Sequence, residues 1–459
     1  MKDLTQGPIG RQLAGLAVPI AAGMLLQTLY YLVDLFFVAR LGDAAMAGVS
    51  AAGNLMFVIF ALTQMLSVGT VTLISHAVGR KDRADANHIF NQSVALSGLC
   101  TIVTVAGGYA LTPAYMRLMG ADAATAAAGI EYLDWFLPGL ALQFALVALG
   151  AALRGTGIVK PTMAVQALTV LANTVLAPIL IAGWITGHPM GVAGAGLAST
   201  LAIAAGVAFL AVYYVRLEKY VAFDPAHWRP QLATWGRMLN IGLPSGGEFA
   251  LLGFYMGVVY WIIRDFGAAA QAGFGIGGRL MQSIFLPAMA IAFAASPLAG
   301  QNFGARRFDR VRQTFRVAAW STGIVMFALT LLCQWRADLL VHAFTRDPAV
   351  VAVAAEYLHV LSWNFVAVGL VFTAGSLFQA LGNTWPSLAA SAMRLLIFAL
   401  PAIWLSRQPG FRLIDVWHLS VVTVFLQAAM SLWLLRGQFR TRLAGAGAAL
   451  PAESESAKA

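Results

Sequence analysis

The run Glu131-Tyr132-Leu133 returns as Glu356-Tyr357-Leu358, a shift of 356 − 131 = 225 residues, and the same shift carries Gly150, Gly157 and Pro161 onto Gly375, Gly382 and Pro386. Working outward, the register holds: Pro19 falls on Pro244, Gly42 on Gly267, Ala47-Gly48 on Ala272-Gly273, Gly53 on Gly278, Gly79 on Gly304 and Asp122 on Asp347. Apolar sequence matches itself easily at Leu and Ala. It does not match at a Glu-Tyr-Leu run and at a set of glycines and prolines in constant register. The chain therefore reads as two copies of one unit, which is the sequence mark of a membrane transporter built from like halves.

Composition says where the copies live. The chain is 60% hydrophobic and 10% charged, against about 25% charged in a soluble domain. Apolar stretches long enough to cross a bilayer, about 20 residues each, lie near 13–38, 45–75, 90–112, 127–153, 161–183, 192–215, 238–263, 271–300, 314–335, 350–379, 387–406 and 414–435. That is twelve spans, six per copy. An even number returns the chain to its starting side, so the halves insert with the same orientation and inverted repeats are excluded. The first stretch belongs to the repeat and is too long for a cleaved signal peptide, so it is expected to remain as span 1.

Lys and Arg set the orientation. With both termini inside, 20 of the 29 basic residues face the cytoplasm, among them Arg80, Arg154, Lys160 and Arg306, and 7 face outward; Arg279 and Arg394 lie within spans. The net charge of +10 is thus a topology signal and gives no reason to expect nucleic-acid binding. Residues 1–216 and 238–443 are expected to form two six-helix lobes. Between them, 217–237 is a cytoplasmic linker with Asp224, Pro225, Trp228 and Pro230, and 444–459, ending Ala-rich and then Glu-Ser-Glu-Ser, reads as a disordered tail. Cys100 and Cys333 are not repeat-matched, which argues against a disulfide. No phosphate loop, His-Glu-x-x-His, Cys-x-x-Cys or nucleophile elbow is present. The sequence therefore reads as a non-enzyme without cofactor, drawing energy from an ion gradient or from the gradient of its own cargo.

Charges inside spans are costly and mark candidate functional groups. Asp34 follows Thr28-Leu29-Tyr30-Tyr31-Leu32-Val33 in the outer half of span 1, where an acid can bind a proton or small cation in one state and release it in another. Its plain alternative is an acid snorkelling to the interface. Glu248, one turn past Pro244 in span 7, is either a second coupling group or a structural one. Arg279 and Arg394 read first as counter-ions or interfacial residues. Glu131 and Glu356 are repeat-equivalent, which favours a shared structural or cavity role near the outer ends of spans 4 and 10 over a unique ion site.

Several segments resemble the multidrug and toxic compound extrusion (MATE) family. They are Met24-Leu25-Leu26-Gln27-Thr28-Leu29-Tyr30 with Val33-Asp34, Leu41-Gly42, Arg154-Gly155-Thr156-Gly157 before Pro161, Asn173, Gly191-Val192-Ala193-Gly194-Ala195, Gly242-Leu243-Pro244 and Gly300-Gln301-Asn302-Phe303-Gly304-Ala305. The likeness runs over nearly the whole chain. It implies an all-α integral membrane protein of twelve transmembrane helices, its two parallel six-helix repeats forming a V-shaped cleft. It also implies extrusion of small organic cations or amphipathic molecules in exchange for protons or sodium. Of the family's amino-terminal cation site, Asp34 and Asn173 match, Ser199 holds the hydroxyl position and Thr200 stands beside it, while Ala177 occupies the place of a second acid. Losing that carboxylate weakens a sodium cage near Asp34 more than it weakens one protonatable Asp, so proton coupling is expected. The expected setting is the inner (plasma) membrane, with both termini cytoplasmic and the protein a monomer in lipid. The rivals are a lipid-linked-oligosaccharide flippase of the same superfamily, which would line its cleft with several basic residues, and an integral membrane transferase, which would need clustered Asp pairs.

Overall fold

The computed structural model describes residues 1–119, 122–185 and 187–443; the tail expected over 444–459 lies outside the described residues. Among those residues every regular element is helical. The helices are α1 Ile9–Val38, α2 Asp43–Gly79, α3 Arg83–Met119, α4 Ala123–Gly155, α5 Lys160–Ile181, α6 Gly191–Arg216, α7 Leu232–Ile263, α8 Ala268–Gly304, α9 Phe308–His342, α10 Pro348–Leu361, α11 Phe365–Ala380, α12 Trp385–Leu405 and α13 Leu413–Arg442. A 3-10 turn at Ser362–Asn364 joins α10 and α11 into one span, so the described residues contain 12 helices fit to cross a membrane. In hydrocarbon each backbone N–H and C=O must be satisfied within its own segment, and apolar runs of this length can do that only as helices. Several overshoot the apolar stretch that announced them. At 37 residues, α2, α3 and α8 are about 55 Å long at 1.5 Å per residue, against a hydrocarbon core of about 30 Å.

The repeat seen in the sequence is a repeat of geometry. Asp122 caps α4 by accepting from Thr125 N–H at 2.7 Å, and its counterpart Asp347 caps α10 by accepting from Ala349 N–H at 2.9 Å. Gly42 and Gly267, which open α2 and α8, take φ of 104° and 88°; Gly157 and Gly382 take 79° and 70°. That left-handed backbone region is the one glycine enters without a Cβ penalty, which explains why these positions match where leucines drift. Gly48 packs against α4, and Gly273 packs in the same way against α10.

The two six-helix bundles form a V. Among the described residues, every hydrogen bond between the bundles lies at the end that carries the amino terminus. Gln301 Nε2 donates to Gly155 O at 3.0 Å, and His76 Nε2 meets Ala380 O at 2.6 Å. These are one contact seen twice, since 301 − 76 = 380 − 155 = 225. Gly79 and Gly304 sit beside them, each against backbone of the opposite bundle, where a Cβ would collide. The amino-terminal segment threads the same junction: Lys2 N–H donates to Thr156 O at 2.8 Å, Leu4 N–H donates to Gln301 Oε1 at 3.0 Å, and Asn302 donates back to Leu4 O at 3.1 Å. At the opposite end, α1, α2 and α7 leave large apolar side chains such as Leu32, Phe36, Phe57 and Phe254 exposed. The connecting segment between the halves is pinned to α3. Asn91 accepts from Asp224 N–H and from Trp228 Nε1, and Gln92 donates to His227 O and Arg229 O.

Candidate functional site

Asp34 stands on the last full turn of α1, partly exposed, and the amino-terminal bundle builds a pocket around its carboxylate. Ser199 of α6 donates its hydroxyl to Asp34 Oδ1 at 3.4 Å, a long bond. Asn173 of α5 is fully buried beside the same carboxylate, yet neither its amide nitrogen nor its oxygen closes a hydrogen bond in this conformation. Tyr30 and Tyr132 complete the wall; the Tyr30 hydroxyl is buried and also without a partner. Buried polar atoms left unmatched are costly and rare. Here three of them surround one acid, a group of donors and acceptors that a change at the carboxylate, or a guest beside it, can engage. Ala177, wholly buried one turn beyond Asn173 on α5, is the position at which the resemblance expects a second acid. No other carboxylate is among the groups acting on Asp34.

The pocket belongs to one bundle only. The shift of 225 carries Asp34, Asn173 and Ser199 to Val259, Phe398 and Val424, all buried and apolar. The fold is repeated and the chemistry is not.

Below the pocket, toward the junction end, the amino-terminal bundle encloses a cavity of about 220 Å³, capped by Phe293 and Ser296 of α8 and Gln379 of α11. Gln27 and Tyr31 line it from α1, at i and i+4, and Asp34 follows at i+7 on the same face, so one helical stripe connects cavity and pocket. Gln64 and Ser67 of α2, Gln143 of α4 and Gln166 of α5 add hydrogen-bonding groups, and Met24, Met56, Ile59 and Phe60 add apolar surface. The single charged residue of the lining is Arg154, whose side chain donates from Nη2 to Ser67 Oγ at 2.8 Å.

The remaining candidates lie apart from the Asp34 carboxylate. Thr200 does not join Asp34: its hydroxyl donates to Trp135 O at 2.6 Å, because it is turned about 100° around α6 from Ser199, toward α4. Glu248 is half-buried on α7 in the other bundle, with Ser387 of α12 as its polar neighbour, and is not among the groups around Asp34. Arg394 lies with its guanidinium 4.8 Å from the Tyr255 ring, a cation–π contact, and its Nε is buried without a partner. Arg279 and Glu131 are exposed and Glu356 is half-buried; none makes an ion pair among the described residues. Arg154 was missed. Read as one of the cytoplasmic loop charges, it instead occupies the final turn of α4 and reaches back into the membrane. Side chains of a helix lean toward its amino terminus, and α4 starts at the far end, so a residue at its junction-end terminus points inward. The spacing Gln143, Val147, Gly150, Arg154 along one face of α4 was the available signal.

Against known proteins, the MatE family model matches residues 19–179 and 244–405, one match in each half. A "Probable multidrug resistance protein YpnP" of Bacillus subtilis (strain 168) is 27% identical over 421 residues, covering 90% of each chain. An "FAD transporter" of Shewanella oneidensis is 23% identical over 407 residues, covering 87% of this chain and 89% of that one. Among solved structures, an outward-facing multidrug resistance MATE family transporter of the MOP superfamily superposes with a TM-score of 0.89 at 23% identity, over 96% of this chain and 98% of that one.

Proposed function

This chain belongs to the MatE family, whose members are multi-pass secondary transporters and not enzymes, and from that premise we propose that it exports amphipathic organic molecules in exchange for protons, with Asp34 as the coupling group. The observation that carries the proposal is the Asp34 pocket: one carboxylate and the neutral side chains of Asn173 and Ser199, with alanine, not a second acid, one turn from Asn173 at position 177. A sodium ion asks for about six or more oxygen ligands, of which carboxylates are the strongest, as for other hard cations. A proton asks for the carboxylate alone. In the cycle we propose, the junction end faces the cytoplasm and the V opens outward in the plasma membrane. A proton entering from outside neutralises Asp34. The neutral acid is cheaper to bury than the charged one, so the outer half of α1 closes onto Asn173, Tyr30 and Ser199 and the site below it is reshaped, releasing cargo outward. Deprotonation toward the cytoplasm, with the junction parted, resets the chain.

Two relatives carry the names multidrug resistance protein and FAD transporter, so membership does not fix cargo charge. The amphipathic class is favoured by the cavity's mixture of glutamines, methionines and aromatic rings. The flippase reading expects several basic residues in the cleft, and the cavity has one. A transport assay in sodium-free proteoliposomes under an imposed pH gradient tests the proposal. Transport should persist there and collapse with a protonophore. Transport that requires sodium and ignores the pH gradient would contradict it, and Glu248 would then be the first group to examine.

A further inference from the structure

We propose that the cavity around Arg154 binds the acidic group of an amphipathic organic anion, a carboxylate or phosphate monoester, with the apolar part of that molecule lying between Met56, Phe60 and Phe293. The inference rests on the export reading above and narrows its cargo class.

A cationic side chain within a membrane bundle ordinarily meets a carboxylate, because an unpaired charge there is expensive. Arg154 has none: no ion pair among the described residues includes it, and its one hydrogen bond goes to the neutral Ser67 hydroxyl. Its guanidinium remains a planar donor set with most of its N–H groups unspent, and such a fork matches the two oxygens of a carboxylate or phosphate. The rest of the lining agrees in sign. Gln27, Gln64, Gln143, Gln166 and Gln379 can donate or accept, and no Asp or Glu is present. A cation entering would be repelled by Arg154 and met by no countercharge; an anion would supply the missing partner. Topology does not account for the charge either, since the shift of 225 places Gln379, not a base, at the equivalent position of the other bundle. Gln379 itself reaches the same cavity from across the junction. An anion held at Arg154 therefore also touches the seam that must part during transport.

The test is equilibrium binding to the purified full-length protein in neutral detergent, which does not depend on coupling. Three fluorescent probes serve: 7-methoxycoumarin-3-carboxylate, its neutral carboxamide of the same size, and the smaller cation N-methylquinolinium. The carboxylate should bind most tightly. Arg154→Gln should weaken it by about tenfold to a hundredfold, the worth of a hydrogen-bonded charge, and leave the carboxamide within about twofold, while Arg154→Lys should retain part of the preference. Because Arg154→Gln could disturb folding, Gln166→Glu provides an independent arm: a carboxylate added to the intact cavity should weaken the anion and admit the cation. Competition in nanodiscs separates the sources of the anion. Displacement by phosphatidic acid, whose headgroup is a phosphate monoester, but not by phosphatidylcholine assigns the site to a lipid headgroup, and no displacement by either assigns it to a soluble cargo. If the wild type prefers the cation, or if Arg154→Gln leaves carboxylate binding unchanged in a folded protein, the inference is overturned. Proton-driven transport of the cation would then show that the export reading stands without it.

Discussion

Gly304 is the position at which a single methyl group should shift the whole conformational equilibrium. A Cβ built there meets the His76 carbonyl oxygen, with His76 Cα at 2.8 Å and its carbonyl carbon at 2.9 Å. These are backbone atoms of α2 in the opposite bundle, so no rotamer can relieve the contact. Its repeat partner Gly79 is confined in the same way, with Ala305 N at 2.9 Å from its built Cβ. Overpacking of this kind costs about 1–3 kcal/mol. The cost falls only on the state in which the bundles touch at the junction, because separating them removes the collision. Gly304→Ala should therefore move the balance toward the parted-junction state by about 5- to 150-fold. Gly79→Ala should act similarly, with the double mutant less than additive because the two glycines share one seam. Spin labels at Lys160→Cys and Arg316→Cys, in a background with Cys100 and Cys333 replaced, report the separation by double electron–electron resonance. The wild type should give mainly the short distance and Gly304→Ala a dominant longer one. An unchanged distribution in a protein of unchanged melting temperature would refute the view that this glycine contact holds the junction closed.

Ala177→Asp restores a second carboxylate one turn from Asn173. With a sodium dissociation constant of ~10 mM, 100 mM sodium would stabilise the variant by about 1.4 kcal/mol; thermal unfolding in sodium against choline should show this in the variant and not in the wild type or in Ala177→Asn, and equal melting in both salts would remove the ligand-count argument. Near the junction, the Thr5 hydroxyl, bonding at 2.6 Å, holds the Asp3 carboxyl below its usual range. A depressed carboxyl contributes stability above its unfolded pKa that is lost as pH falls, so the protection of the amides in residues 2–5, measured as exchange relative to the intrinsic rate at each pH, should fall on acidification below the normal carboxylate range. Asp3→Asn should show faster exchange already at neutral pH, by about 1 kcal/mol of lost protection, and a pH-independent wild type would contradict the assignment.

Much of the fold was legible because the residues that repeat are those with no substitute. Gly42, Gly157 and their partners need positive φ, Asp122 and Asp347 cap equivalent helices, and Gly79 and Gly304 fill a seam with no room for a side chain. Apolar periodicity located the spans but stopped short of the helix ends, since polar turns continue the helix beyond the hydrocarbon. The site was legible only in part. Asp34, Asn173 and Ser199 come from separate spans, and the resemblance, more than any spacing, linked them; their counterparts Val259, Phe398 and Val424 show how freely a repeated backbone exchanges its chemistry. Thr200 could not be told from Ser199 without the rotation of α6. Arg154 was hidden by the very rule that oriented the chain, because a count of positive charges assigns a residue to a side by its Cα and not by where a long side chain ends.

Asp34→Asn tests the central claim most directly. The amide keeps the size and most of the hydrogen bonding of the acid and cannot exchange a proton. In sodium-free proteoliposomes under an imposed pH gradient, with cargo and internal pH followed together, the wild type should move cargo against proton flux. Asp34→Asn should bind cargo with nearly unchanged affinity and move neither. If the variant still exchanges cargo for protons at the wild-type rate, Asp34 is not the coupling group and the account of the pocket fails.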